Sequence, residues 1–180
     1  MLDKGFPATK VDEVCQAAGV TKGSFYHHFE SKDALALALI DHYFDRLAQA
    51  FAGRAWLAYE SPTDRVYAFL DEVIRVMRGP LLKHGCLLGS FALDLSTTHP
   101  EIRIEIQRRF DRLTGLLEPE LRAALKGPNK RSGLSAPALA RQFLAVLQGA
   151  IVLGKASGDH ARLAEAMRCY KTMVQAVLGT

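Results

Sequence analysis

The sequence predicts an all-α protein, a helix-turn-helix followed by a helical bundle, and three observations predict it. Apolar residues recur at i, i+3, i+4 and i+7 along almost the whole chain. Strand signals are missing: there is no sustained period-2 alternation and no Asn-Gly or Asp-Gly hairpin turn. Capping and breaking residues such as Thr21, Ser31, Pro62 and Gly79-Pro80 fall between the periodic stretches.

Taken in order, the first helix is expected to begin at Thr9, whose hydroxyl would cap the amide of Asp12. Val11, Val14, Cys15 and Ala18 form its apolar stripe, and Gly19 stops it. Thr21 caps a short helix over Lys22–Phe29. Ser31 caps a third, running to about Ala52, with Leu35, Leu39, Tyr43, Leu47 and Phe51 along one side. Pro62 opens a helix that turns Val66, Phe69, Leu70, Val73 and Met77 inward and closes at Gly79-Pro80. Leu81–Leu95 is mostly apolar, although Gly85 and Gly89 weaken the helical reading. Ser96–Pro100 is a break. Ile102, Ile106, Phe110, Leu113, Leu117, Leu121 and Leu125 then mark a long helix, with a kink or interruption expected at Pro119. Gly127–Gly133 reads as a polar loop. Two final helices, about 137–156 and 160–178, carry the stripes Leu139, Phe143, Val146, Ala150, Leu153 and Leu163, Met167, Tyr170, Val174, Val177. The first of them also carries Gly149 and Gly154, which let helix backbones approach closely.

Composition places the chain among ordinary globular proteins: 180 residues, 49% apolar and 23% charged. No run approaches the roughly 18 apolar residues of a membrane span, and the start has no secretory apolar core. Three widely spaced cysteines without a C-x-x-C pair argue against a disulfide framework or structural zinc, and for a reducing cytoplasm. The formal charge is +4, yet residues 1–46 hold five Lys/Arg against seven Asp/Glu. Net charge therefore points away from the N-terminal segment as a nucleic-acid surface.

The motif points towards it. Val11–Ala18, Gly19-Val20-Thr21 and Lys22–Phe29 have the layout of two helices joined by a short glycine-containing turn, whose second helix enters the DNA major groove. Lys22, Ser24, Tyr26, His27 and His28 supply donors and aromatic surface on the outer side, while Phe25 and Phe29 point inward. Gly23 leaves space near the helix start for close approach.

The string Ala17-Ala18-Gly19-Val20-Thr21-Lys22-Gly23-Ser24-Phe25-Tyr26-His27-His28-Phe29, followed by Ser31-Lys32-Asp33-Ala34-Leu35, closely resembles the recognition segment of the TetR family of transcriptional repressors. Lys4-Gly5-Phe6-Pro7-Ala8-Thr9 resembles that family's approach to its second helix. The resemblance implies a DNA-binding domain over residues 1–46, a regulatory and dimerising domain over 47–180, a homodimer, and release from a double-stranded operator when a small effector binds. It also implies phosphate contacts from Thr9 and Lys32, and reading or positioning roles for Thr21, Lys22, Gly23, Ser24, Tyr26 and His27. Gly85-Cys86-Leu87-Leu88-Gly89 looks like a regulatory-domain subgroup of the same repressors. The family has a full helix before the Lys-Gly-Phe turn where this chain has Met1–Lys4, so Val11, Val14 and Phe29 are expected to be under-covered.

Several residues invite sharper readings. Cys86, after Lys83 and His84, is the candidate redox-sensing thiol, although a buried packing role is the more ordinary one for such a residue. Cys15 and Cys169 lie on apolar stripes and read as inert. The adjacent His27 and His28 point about 100° apart on a helix and do not converge on a metal. His84, His99 and His160 read as solvated. Cys86, Asp94 and His99 could be drawn as a hydrolytic triad, but no spacing brings them together and no enzyme motif is present. No metal or cofactor is expected. Trp56, Tyr59, Phe69, Phe91, Phe110 and Phe143 are the aromatic side chains from which a pocket for a small, largely apolar or aromatic effector would be built. Dimerisation is expected through the last two helices. The alternative is a helical ligand-binding or thiol-based redox-sensing dimer with weak or lost DNA binding.

Overall fold

The computed structural model describes residues 1–82, 84–126, 133–159 and 161–179. Among them the regular structure is helical: α1 Val11–Ala18, α2 Lys22–His28, α3 Lys32–Ala50, α4 Pro62–Met77, α5 Leu87–Leu95, α6 Pro100–Ala124, α7 Ala136–Ser157 and α8 Ala161–Leu178. Short 3-10 helices at Ala55–Ala58 and Pro80–Leu82 flank α4. Of the expected Gly127–Gly133 loop only Gly133 is described, and Lys83 and His160 also lie outside the described residues. The chain forms two compact units. One comprises Met1–Leu47 with Cys86–Arg109, the other Ala48–Gly85 with Phe110–Thr180.

In the first unit, α1 begins one residue later than the Thr9 cap predicts. The Thr9 hydroxyl instead donates to the Gly5 carbonyl at 2.8 Å, and the Glu13 carboxylate accepts the Lys10 amide at 3.1 Å. Gly19 ends α1 at φ +67°, a left-handed conformation that suits glycine, with its amide returned to Cys15 and Gln16 carbonyls. The Thr21 hydroxyl accepts the Ser24 amide at 3.1 Å, and the Ser31 hydroxyl accepts that of Ala34 at 3.0 Å. α3 buries Ala36, Ile40, Tyr43, Phe44 and Leu47, whereas Leu35 and Leu39 are half-buried. A strict i, i+4 line drifts about 40° per step around a helix, so the expected line starts beside the inward face at Leu35 and Leu39 and reaches it at Tyr43 and Leu47. Burial, with the Cys86 thiol beside it, pushes the Tyr43 phenol well above its ordinary value. Gly85, at φ +103°, turns the chain ahead of α5 and lies outside it, so the apolar segment does form a helix that buries Leu87, Leu88, Phe91 and Leu95.

α6 runs through Pro119 without the interruption that is one of the two expected outcomes there. The carbonyl that proline leaves without its helical partner is that of Gly115, and both residues are exposed, so water can take it.

The second unit is organised by a chain of rings. Trp56 meets Phe69 edge-on at 5.1 Å, Phe69 meets Phe143 at 5.7 Å, and Phe143 meets Tyr170 at 6.1 Å. The buried Tyr170 hydroxyl donates to the Leu139 carbonyl at 2.7 Å, tying α8 to α7. α4 contributes the expected face, Val66, Phe69, Leu70, Val73 and Met77, all buried. At Gly154 a side chain would run into Leu163 and come within 3.4 Å of the Asp159 carbonyl, so this glycine permits the α7–α8 contact. Gly149, by contrast, faces open space. Leu153, expected in the α7 stripe, is 65% exposed, and Cys169 is exposed rather than on the inward face of α8.

Candidate nucleic-acid interface

α1 and α2 pack across the Gly19-Val20-Thr21 turn with Phe25 as the anchor. Phe25 is 4% exposed, and its ring meets Tyr26 at 5.1 Å and Phe29 at 5.6 Å. With Phe25 turned in, helical geometry turns Lys22, Gly23, Tyr26 and His27 out, and all four are exposed; Ser24 is half-buried. Tyr26 is 54% exposed, a large aromatic surface that nothing in the first unit covers fully. Thr21 is exposed but its hydroxyl already serves as the α2 cap. A side chain at Gly23 would meet only the Thr21 hydroxyl at 3.7 Å, an ordinary contact. The fold therefore does not require glycine there, and the residue keeps the start of α2 open. His28 is exposed beside His27, the two rings edge-on at 5.1 Å. Val11, Val14 and Phe29 are half-buried, and Val20 is 43% exposed.

The two residues taken as phosphate contacts are placed differently from expectation. Thr9 is 6% exposed and its hydroxyl is directed inward onto Gly5. Lys32 is half-buried: its ammonium donates to the Phe6 and Thr9 carbonyls at 3.0 and 3.1 Å, over the Phe6 ring. Both shape the segment that leads into α1. Asp94 of α5 does the same from the other side, its carboxylate accepting the Phe6 amide at 2.8 Å. Eighty-eight residues separate that pair, and no local spacing in the sequence signals it.

Three of the seven acidic side chains of residues 1–46 are paired, one of them by a cation from outside the segment. Lys22 meets Asp12 at 2.7 Å, Lys4 meets Glu13 at 2.7 Å, and Arg109 meets Asp41. The Lys4 hydrogen bond, with help from the Lys10 amide, holds the Glu13 carboxyl below its usual range. His99 is not a solvated loop histidine: it lies 3.6 Å from Asp33 and edge-on to Phe6. Asp94 and His99 are thus engaged separately, on Phe6 and Asp33, and the triad drawn with Cys86 has no geometric basis. Cys86 is buried at the start of α5.

The aromatic residues taken as pocket lining are mostly core. Trp56, Phe69, Phe91 and Phe143 are 1–3% exposed, Phe110 is half-buried and Tyr59 is 51% exposed. None of the six lines the groove found in the second unit.

Comparison with known proteins reaches both units. The profile of the tetR family of bacterial regulatory proteins matches residues 1–39, and that of the tetracyclin repressor-like C-terminal domain matches residues 62–170. The HTH-type transcriptional repressor DhaR of Mycobacterium sp. (strain GP1) is 30% identical over 154 residues, spanning 84% of this chain and 74% of that protein. The transcriptional regulator AcuR of Cereibacter sphaeroides is 32% identical over 163 residues, spanning 86% and 71%. Among solved structures, a TetR transcriptional regulator from Chloroflexus aurantiacus J-10-FL superposes with a TM-score of 0.80 at 26% identity, covering 96% of this chain and 86% of that one. The regulatory protein TetR from Rhodobacter sphaeroides superposes with a TM-score of 0.78 at 25% identity, covering 95% and 90%.

Proposed function

The chain belongs to the TetR family of bacterial transcriptional repressors, and on that premise we propose that α2 is the helix that reads its operator. The observation that carries this is the outward presentation of Lys22, Gly23, Tyr26 and His27 on a helix anchored by buried Phe25. Tyr26 and His27 suit base edges and the thymine methyl, Lys22 suits a phosphate, and Gly23 admits the DNA backbone closely. Ser24 adds a hydroxyl at the edge of that face, and Thr21 holds the helix start in place. Two of the three N–H donors of Lys32 are engaged by carbonyls, and the third remains for a phosphate.

DNA-binding repressors of this family act as dimers, and we place the interface on α7 and α8. α7 is a long apolar helix, and only 33% of its most apolar stretch is buried within the protomer. Val152, Leu153 and Met173 are 54%, 65% and 56% exposed, and Gly149 beside them leaves room for a partner helix. Burying that face against its copy gives a four-helix contact of the size expected for a permanent dimer, at least roughly 2,000 Å². A small effector would then favour a dimer geometry whose two α2 helices no longer match successive major grooves about 34 Å apart. The protein would work in the cytoplasm, and its relatives are regulators rather than enzymes. A gel shift on the DNA upstream of the protein's own gene tests this reading: a discrete, salt-sensitive complex supports it, and no complex at micromolar dimer contradicts it.

A further inference from the structure

The second unit holds a groove of about 450 Å³, within the range of small-ligand sites, where the end of α4 and the Pro80–Leu82 turn meet the first half of α8. Met77 and Leu82, each 7% exposed, make its apolar floor. Ala161, Ala164 and Arg168 lie on one face of α8, three and seven residues apart, so two small side chains open the space that the arginine borders. Arg78, which follows the last residue of α4, borders the other side.

The two arginines differ from five other cations of the unit, though not from Arg54 or Arg141, in one respect. Arg65, Arg75, Arg122, Arg162 and Lys171 of the same unit each meet a carboxylate, at 2.5–3.3 Å. Among the described residues, Arg78 and Arg168 meet none. Two unneutralised guanidinium groups over an apolar floor are the complement of a molecule with an anionic head and a short hydrocarbon body. A guanidinium presents paired N–H donors that match the two oxygens of a carboxylate. An inorganic anion would leave the Met77–Leu82 floor unused, and with only two exposed, solvent-screened charges it would be held weakly.

We propose that this groove binds a small organic carboxylic acid, its carboxylate between Arg78 and Arg168 and its hydrocarbon over Met77 and Leu82. In naming an effector class the proposal rests on the regulator reading above, but the binding itself does not. The test is calorimetric titration of the full chain with butyrate, hexanoate and benzoate, with hexanol and inorganic phosphate as controls. At least one acid should saturate at one site per chain, and hexanol and phosphate should bind about tenfold more weakly or not at all. Arg78→Gln and Arg168→Gln, both at exposed positions that leave the core intact, should each weaken the acid about tenfold. No saturable binding by any acid, equal binding of phosphate, or unchanged affinity in both variants would overturn the proposal. DNA binding by the unliganded protein, measured on the same preparation, reports on the regulator reading separately: its failure would count against that reading while acid binding still decides the groove.

Discussion

The ammonium of Lys32 stands 4.2 Å from the centroid of the Phe6 ring and donates to the carbonyls of Phe6 and Thr9. The first residue of α3 thereby fastens the segment that leads into α1, while Asp94 takes the Phe6 amide. A side chain read from the sequence as an exposed phosphate contact is first of all a clamp.

Lys32→Ala is accordingly expected to lower stability by about 1–3 kcal/mol, the range for hydrogen bonds to a half-buried charged group. Urea unfolding followed by circular dichroism measures it. Unchanged stability with weakened DNA binding would show that phosphate contact is the residue's whole role.

Asp12 and Lys22 form an exposed ion pair at 2.7 Å beside the face of α2 proposed to read DNA. Such a pair adds little to stability, but the aspartate competes with phosphate for the lysine. Asp12→Asn is expected to tighten DNA binding severalfold and to steepen the salt dependence by up to about 0.9 in log K against log salt, one more phosphate contact. Titrations at several salt concentrations read both, and weaker binding would mean that Asp12 itself serves the interface.

The fold class, the order of the helices and the helix-turn-helix were legible because they rest on local signals. Thr21 and Ser31 cap where their hydroxyls can reach the next turn, Gly19 takes a left-handed φ, and Val66–Met77 repeats at helical spacing. What was not legible depends on partners distant in sequence. Thr9 is an acceptable cap by its residue type, but Gly5 takes its hydroxyl. Leu153 fits a stripe yet faces outward, because the inward side of α7 is already filled by Leu139, Phe143, Ala150 and Ile151. Trp56, Phe69 and Phe143, taken for a ligand pocket, pack on one another as core rings, and the groove bordered by Arg78 and Arg168 is built from segments about eighty residues apart.

Gly154 and Gly115 are both helical glycines with opposite consequences. Alanine at Gly154 would collide with Leu163, so despite better helix propensity it is expected to destabilise the protein by about 1–3 kcal/mol. Alanine at Gly115 meets nothing and is expected to stabilise by up to about 1 kcal/mol. Thermal melts of the two variants should move in opposite directions, and a parallel shift would refute the close-approach account of Gly154.

Leu153→Glu tests the dimer. Leu153 is 65% exposed in the protomer, so the substitution should leave the helical content unchanged while placing two like charges in an apolar contact. Light scattering at micromolar concentration should then report a monomer where the parent is a dimer. A dimer that survives would move the interface away from this part of α7.

The central claim is that α2 reads DNA through its exposed face, and Tyr26→Ala tests it most directly. Tyr26 is 54% exposed, so its loss should leave melting temperature and dimer mass unchanged. Fluorescence anisotropy on a labelled fragment of the upstream DNA should show affinity for that fragment falling at least about tenfold, the scale of one lost base contact. Affinity for unrelated DNA should change far less. Equal affinity of parent and variant for the upstream fragment, with both folded and dimeric, would contradict the account.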